Sequence, residues 1–161
     1  MATNMRHTEA ISRIPMADQL RIGIVVAEWN GDITQNLFQG ALDTLLALGV
    51  SVDRIQRSNV SGSFELIYGC RSMLNNHLDA VIAIGSVIRG ETSHFDFVCQ
   101  AVSYGIAELN LKGETPVIFC VLTDDTLEQA QSRSGGKLGN KGSEAAVAAV
   151  RMALLKKENL G

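Results

Sequence analysis

The sequence predicts a three-layer α/β/α sandwich, with four parallel strands in one central sheet and helices on both faces, behind a short N-terminal arm. Three observations carry this. The runs LRIGIVVA (20–27) and DAVIAI (79–84) are dense in strand formers and continuous, as expected of strands buried on both faces. Between the strands, apolar residues recur at helical spacing, as at Ile33, Leu37, Ala41, Leu45 and Leu48. Strands and helices alternate along the chain, which implies right-handed βαβ units and a parallel sheet.

Each element follows in order. Residues 1–17 are polar, aperiodic and carry Pro15; they read as a flexible arm, taken as 1–19, with the domain over 20–161. The first strand, 20–27, is broken at Asn30-Gly31, and the first helix runs from Asp32 to a C-capping Gly49. The second strand is 51–60 and the second helix 64–77. The third strand, 79–86, leads to a helix over 93–111, and the fourth strand is 116–123. A short helix over 126–133 and the glycine-rich loop SGGKLGNKG (134–142) precede a last helix over 143–157. That helix has one face of Ala145, Ala149 and Met152 and a second alanine row at Ala146 and Ala153.

Composition narrows the function classes. The formal charge of −3 leaves no basic footprint for nucleic acid or an anionic membrane, so an anionic ligand must be held by a few placed cations. No apolar run is long enough to span a bilayer, and no signal peptide is apparent. Cys70, Cys99 and Cys120 lie in apolar patterns without metal-ligand spacing; they read as buried, reduced thiols of a cytoplasmic protein. The sequence carries no metal-ligand cluster and no dinucleotide fingerprint.

The most informative stretch is GSVIRGETSHFDFV (85–98). A strand that stops, turns on glycine and opens a helix frees backbone N–H groups, and the helix dipole adds to their attraction for an anion. His94 stands beside these donors, and histidine is the side chain suited to proton transfer near neutrality. The simpler reading makes Thr92 or Ser93 an N-cap and His94 a surface residue. In parallel α/β sheets, ligands bind beyond the carboxyl ends of the strands. There the chain also offers Trp29, either a plate for a planar heterocycle or a hydrophobic plug, and Glu65, either a reader of a ring's polar edge or a capping carboxylate. Arg133 is the best phosphate clamp, against a solvated helix end, and Lys141 a second cation, against a plain loop lysine.

Five motifs together resemble lumazine synthase, the penultimate enzyme of riboflavin biosynthesis: WNGDIT (29–34), GSFEL (62–66), DAVIAIGSVIRGETSHFDFV (79–98), PVIFCVLTDDTLEQAQSR (116–133) and GNKGSEAA (139–146). The resemblance covers the chain from about Leu20 onward. It implies a flavodoxin-like fold and pentamers whose active sites lie between neighbouring subunits. It implies that 5-amino-6-ribitylaminouracil condenses with 3,4-dihydroxy-2-butanone 4-phosphate, with no cofactor or metal. Trp29 would stack on the pyrimidine; Ser63, Phe64 and Glu65 would hold the ribityl chain; Ser86, Val87 and Ile88 would line the pyrimidinedione. Glu91, Thr92 and Ser93 would form the phosphate nest with Arg133 of the neighbouring subunit, which would also supply Phe119 and Lys141, and His94 would move protons.

Two residues depart from the family pattern: Ser61 stands in place of the usual proline and Cys120 in place of the usual glycine. Three other readings compete: an electron carrier, whose phosphate loop should follow the first strand; a flavin storage protein, which would dispense with His94 and Arg133; and a structural shell protein. The compact 134–142 connection favours a sixty-subunit shell of pentamers, Pro15 in the arm speaks for the free pentamer, and riboflavin synthase is admitted as a partner.

Overall fold

The computed structural model describes residues 12–160. Its sheet has the order β2-β1-β3-β4, all parallel, built from β1 (Ile22–Ala27), β2 (Ile55–Val60), β3 (Ala80–Ile88) and β4 (Val117–Asp124). On one face pack α1 (Gly31–Leu48) and α5 (Lys141–Leu160), with α4 (Leu127–Arg133) at its end; on the other lie α2 (Leu66–Met73) and α3 (His94–Lys112). This is the predicted three-layer, flavodoxin-like sandwich. Alternation along the central strands divides the core in two. Ile22, Ile24, Val26, Ile82 and Ile84 face α1 and α5, while Val25, Ala27, Val81 and Ala83 face α2 and α3. Because both faces are covered, β1 is buried at every position, which is why its sequence shows no polar alternation.

Gly49 does cap α1, in the left-handed region at φ 106°, and its amide reaches the Leu45 and Leu46 carbonyls. Several boundaries differ from the reading. The beginning of the second predicted strand is a 3₁₀ turn, Val52–Arg54, so β2 is shorter. The glycine-rich loop folds into a small antiparallel hairpin, β5 (Ser134–Gly136) and β6 (Gly139–Asn140), docked on α1 by Asn140 Nδ2 donating to the Asn36 carbonyl at 2.9 Å. The last helix starts two residues early, at Lys141, and Met152 on its predicted apolar face is exposed. Of the arm, residues 1–11 lie outside the described residues. Its end is part of the fold: Ala17 is fully buried and the Ile14 amide donates to the Leu48 carbonyl at 3.0 Å. Cys70 and Cys120 are buried, but Cys99 is half-buried, contrary to its apolar pattern.

Candidate active site

The carboxyl ends of three strands are stitched at one level. The Glu28 amide donates to the Val60 carbonyl at 2.8 Å and the Trp29 amide to the Ser61 carbonyl at 3.1 Å, tying β1 to the exit of β2. Asn30 Nδ2 donates to the Ser86 carbonyl at 2.9 Å, tying β1 to β3. Asn30 does this from the left-handed region, at φ 55°, which asparagine tolerates better than most residues. Because β1 lies between β2 and β3, successive connections leave to opposite sides here, and such a switch point opens a crevice at the strand ends.

The crevice carries the first group of expected residues. Trp29 is 74% exposed, so the plug reading is overturned. A methyl group on Gly62 would lie 3.0 Å from Glu65 Oε2 and 3.5 Å from Trp29 Cδ1; the carboxylate and the indole therefore flank one turn of backbone. Glu65 holds the N-cap position of α2 but makes no capping hydrogen bond, so its carboxylate is not spent on the helix. Phe64 beside it is 54% exposed. Ser63 and Ser86 are buried, and neither hydroxyl has a partner among the described residues. Ser63 Oγ sits so close to β3 that a Cβ at Gly85 would lie 2.6 Å away; only glycine admits this approach. Val87 and Ile88, half-buried, continue β3 beyond its predicted end.

Next comes the turn into α3. Arg89, the cation within the 85–98 stretch, is committed elsewhere. Its Nε donates to Asp125 Oδ1 at 2.8 Å, its Nη2 meets Asp96 Oδ1 at 3.2 Å, and its guanidinium lies 4.1 Å above the Phe95 ring. These contacts pin the turn between the start of α3 and the end of β4. The amides of Gly90, Glu91, Thr92 and Ser93 have no hydrogen-bond partner among the described residues. Ser93 takes the N-cap position without a side-chain cap bond, and the His94 amide reaches only Thr92 Oγ1, at 3.4 Å. The bland capping reading thus fails for Ser93. Glu91, Thr92, Ser93 and His94 are all exposed at the head of a 19-residue helix, a place where dipole and free amides favour an anion.

Arg133, Phe119 and Lys141 form a second group, along the open edge of β4. They line a cavity of about 500 Å³ together with Cys120, Asp124 and Glu144, and none of the crevice residues lines it. Arg133 is not a solvated helix end: its side chain is 34% exposed and Nε lies 3.5 Å from Asp124 Oδ1. Nor is Lys141 a plain loop lysine. It opens α5, is half-buried, and its Nζ contacts both carboxylate oxygens of Glu144, at 2.9 and 2.7 Å. Burial pushes the Asp124 carboxyl above the usual carboxylate range, against the pull of Arg133. Asp124 and Glu144 were not anticipated. A signal existed for the first: Asp124 follows the buried Leu122 by two residues in a strand, hence points to the same face. No group of three or more His, Cys, Asp and Glu side chains that could hold a metal ion occurs among the described residues.

Comparison with known proteins adds an independent line. The family model described as 6,7-dimethyl-8-ribityllumazine synthase matches residues 19–157. A 6,7-dimethyl-8-ribityllumazine synthase of Christiangramia forsetii is 58% identical over 147 residues, covering 90% of this chain and 88% of that protein. One of Flavobacterium johnsoniae is 51% identical over 161 residues (98% and 85%), and one of Porphyromonas gingivalis 55% identical over 145 residues (89% and 90%). The match runs through both the crevice and the β4 edge, and on it the chain belongs to the 6,7-dimethyl-8-ribityllumazine synthase family.

Proposed function

We propose that this chain condenses 5-amino-6-ribitylaminouracil with 3,4-dihydroxy-2-butanone 4-phosphate, releasing phosphate and water, at a site completed by two subunits. One observation carries the division. Among the described residues the crevice holds stacking and hydrogen-bonding groups, and Arg89 beside it is held by two carboxylates, whereas Arg133, which meets one carboxylate at 3.5 Å, lies with Lys141 in a separate cavity on the edge of β4. A doubly charged phosphate on the free amides of 90–93 needs a cation, and a neighbour's β4 edge would bring Arg133 to it. Edge strands invite such pairing, and α3 offers a matching surface, because Phe97, Tyr104 and Leu111 recur every seven residues and are all exposed. Subunits associate as pentamers, and the compact 134–142 hairpin favours closure of pentamers into a shell.

In this reading Trp29 stacks on the pyrimidine, and Ser63, Phe64 and Glu65 take the ribityl hydroxyls. The unpartnered Ser63 and Ser86 hydroxyls then gain partners on binding, removing the cost of buried, unsatisfied groups. Ser86, Val87 and Ile88 border the ring, Phe119 and Lys141 of the neighbour close the pocket, and Glu91, Thr92 and Ser93 cradle the phosphate with Arg133. The substrate amine attacks the ketone to give an imine, phosphate is eliminated, and the ring closes; His94 moves protons between these steps. Holding two substrates in register supplies much of the acceleration. Three free cysteines fit a reducing cytoplasm. Mixing the two substrates with purified protein and following lumazine fluorescence tests the activity. Light scattering tests the assembly, since a particle near the 17.3 kDa chain mass excludes a shared site.

A further inference from the structure

One carboxylate in the β4 cavity has no role in that reaction scheme. Asp124 is the last residue of β4 and only 8% exposed; Oδ1 faces Arg133 Nε at 3.5 Å, and Oδ2 is buried with no partner among the described residues. Its backbone is held at the sheet's end, opposite Ile88, with its carbonyl accepting the Arg89 amide at 3.0 Å. Arg133, at the other end of the contact, is the last residue of α4, a helix fixed at its start by a capping box between Thr126 and Gln129. Gln129 Oε1 also accepts the Asp125 amide at 2.8 Å, so the connection from β4 to α4 is braced on both sides. Two rigid element ends therefore meet at one ion pair.

The closest approach of the pair is at Nε. Neither Nη of Arg133 has a hydrogen-bond partner among the described residues. A guanidinium is planar, so fixing Nε limits the directions in which the two Nη groups can point, and those are the donors that clamp a phosphate through parallel hydrogen bonds. The neighbouring charges are accounted for differently: Lys141 is held by Glu144, and Arg89 by Asp96 and Asp125. A buried carboxylate with an unsatisfied oxygen costs stability, and a surface arginine alone would not require one.

We propose that Asp124 is a positioning residue, which holds the guanidinium of Arg133 by Nε and leaves its Nη edge for the phosphate of the phosphorylated substrate. The proposal rests on the assignment of Arg133 to that phosphate. In the assembled enzyme, Asp124→Ala raises KM for the phosphorylated ketone about tenfold, the effect of a lost charge-assisted contact, and leaves KM for the pyrimidine within about twofold. Asp124→Asn, which keeps an oxygen facing Nε, recovers most of the loss and covers the case in which the alanine variant fails to assemble. Inorganic phosphate, used as a competitive inhibitor, weakens in parallel with the ketone. In an Arg133→Ala background neither Asp124 substitution has a further effect. A parallel rise of both KM values, a loss that persists without Arg133, or wild-type behaviour of Asp124→Ala overturns the proposal alone. If Arg133→Ala itself binds inorganic phosphate as the wild type does, the functional reading falls and takes the proposal with it.

Discussion

The crevice at the ends of β1, β2 and β3 and the cavity on the edge of β4 are built from different materials. The crevice consists of backbone amides, exposed aromatic rings and two unpartnered hydroxyls, on turns that glycines 62 and 85 allow to approach closely. The β4 cavity consists of charged pairs, Arg133 with Asp124 and Lys141 with Glu144, set on the ends of α4 and α5. In the proposed reading the first takes shape and neutral polar edges and the second takes charge. A substrate pair made of a neutral heterocycle and a phosphate ester needs both, and on one chain they do not share a cavity.

The sharpest way to break this comparison is to inactivate each region on a different chain. His94→Ala lowers kcat on the order of 10²-fold or more, up to the 10⁴-fold ceiling of general acid–base catalysis, with both substrates still bound. Arg133→Ala lowers kcat/KM for the phosphorylated ketone by roughly 10–100-fold, as expected for one charge-assisted contact, and leaves pyrimidine binding intact. Equal loss of affinity for both substrates refutes the phosphate role. If the two regions meet across subunits, dissociating and reassembling the two variants at equal ratio restores intact sites. By chance pairing about one quarter of sites regain both residues, so activity returns to about a quarter of the wild-type value. Sites confined to one chain give no recovery on mixing.

Trp29 sharpens the crevice side. It is the chain's only tryptophan and stands exposed in the crevice beside Gly62. A bound pyrimidine or riboflavin analogue stacked on it quenches or shifts its emission. An unchanged spectrum with independently confirmed binding removes the stacking role, and Arg133→Ala leaves the Trp29 response to a pyrimidine intact if the two regions recognise separate partners.

The two regions also differ in how far they could be read from the sequence. Central strands were readable because burial on both faces leaves unbroken apolar runs such as 20–27, and the crevice followed from where those runs stop. The hairpin Ser134–Gly136 with Gly139–Asn140 was not, because it lacks strand formers and is held by contacts to α1 from a residue 104 positions away. The 3₁₀ turn at Val52–Arg54 was hidden in the same way, its valine inviting extension of a strand that begins only at Ile55. In the β4 cavity the cations were legible as candidates, Arg133 as a phosphate clamp and Lys141 as a second cation. Their partners were not: Asp124 sits in an acidic doublet that resembles a solvated turn, and Glu144 resembles an ordinary first-turn acid. Only the packing of α4 and α5 onto β4 turns them inward.

The smallest expected effect separates the regions by their buried thiols. Cys70 lies beneath the crevice in the α2 layer, and burial pushes its thiol up to about 12. Cys120 lies on the wall of the β4 cavity and is also pushed up to about 12, first by burial, then by the Glu144 carboxylate, with Lys141 opposing. The thiolate is the reactive form, so both cysteines alkylate very slowly at pH 8, where about one thiol in 10⁴ is ionised, and both speed up as pH rises toward 12. Of these two, Cys120 alone has charged neighbours that tune it. Glu144→Gln removes the raising charge and leaves Lys141 unopposed, so the Cys120 thiol titrates lower and its iodoacetamide labelling at fixed pH quickens a few-fold, while Cys70 keeps its wild-type rate. Residue-resolved mass spectrometry of the native protein reads both rates at once. Equal acceleration of the two thiols would mean that the substitution loosened the whole fold, and an unchanged Cys120 rate would mean that access, not charge, governs the wall of the β4 cavity.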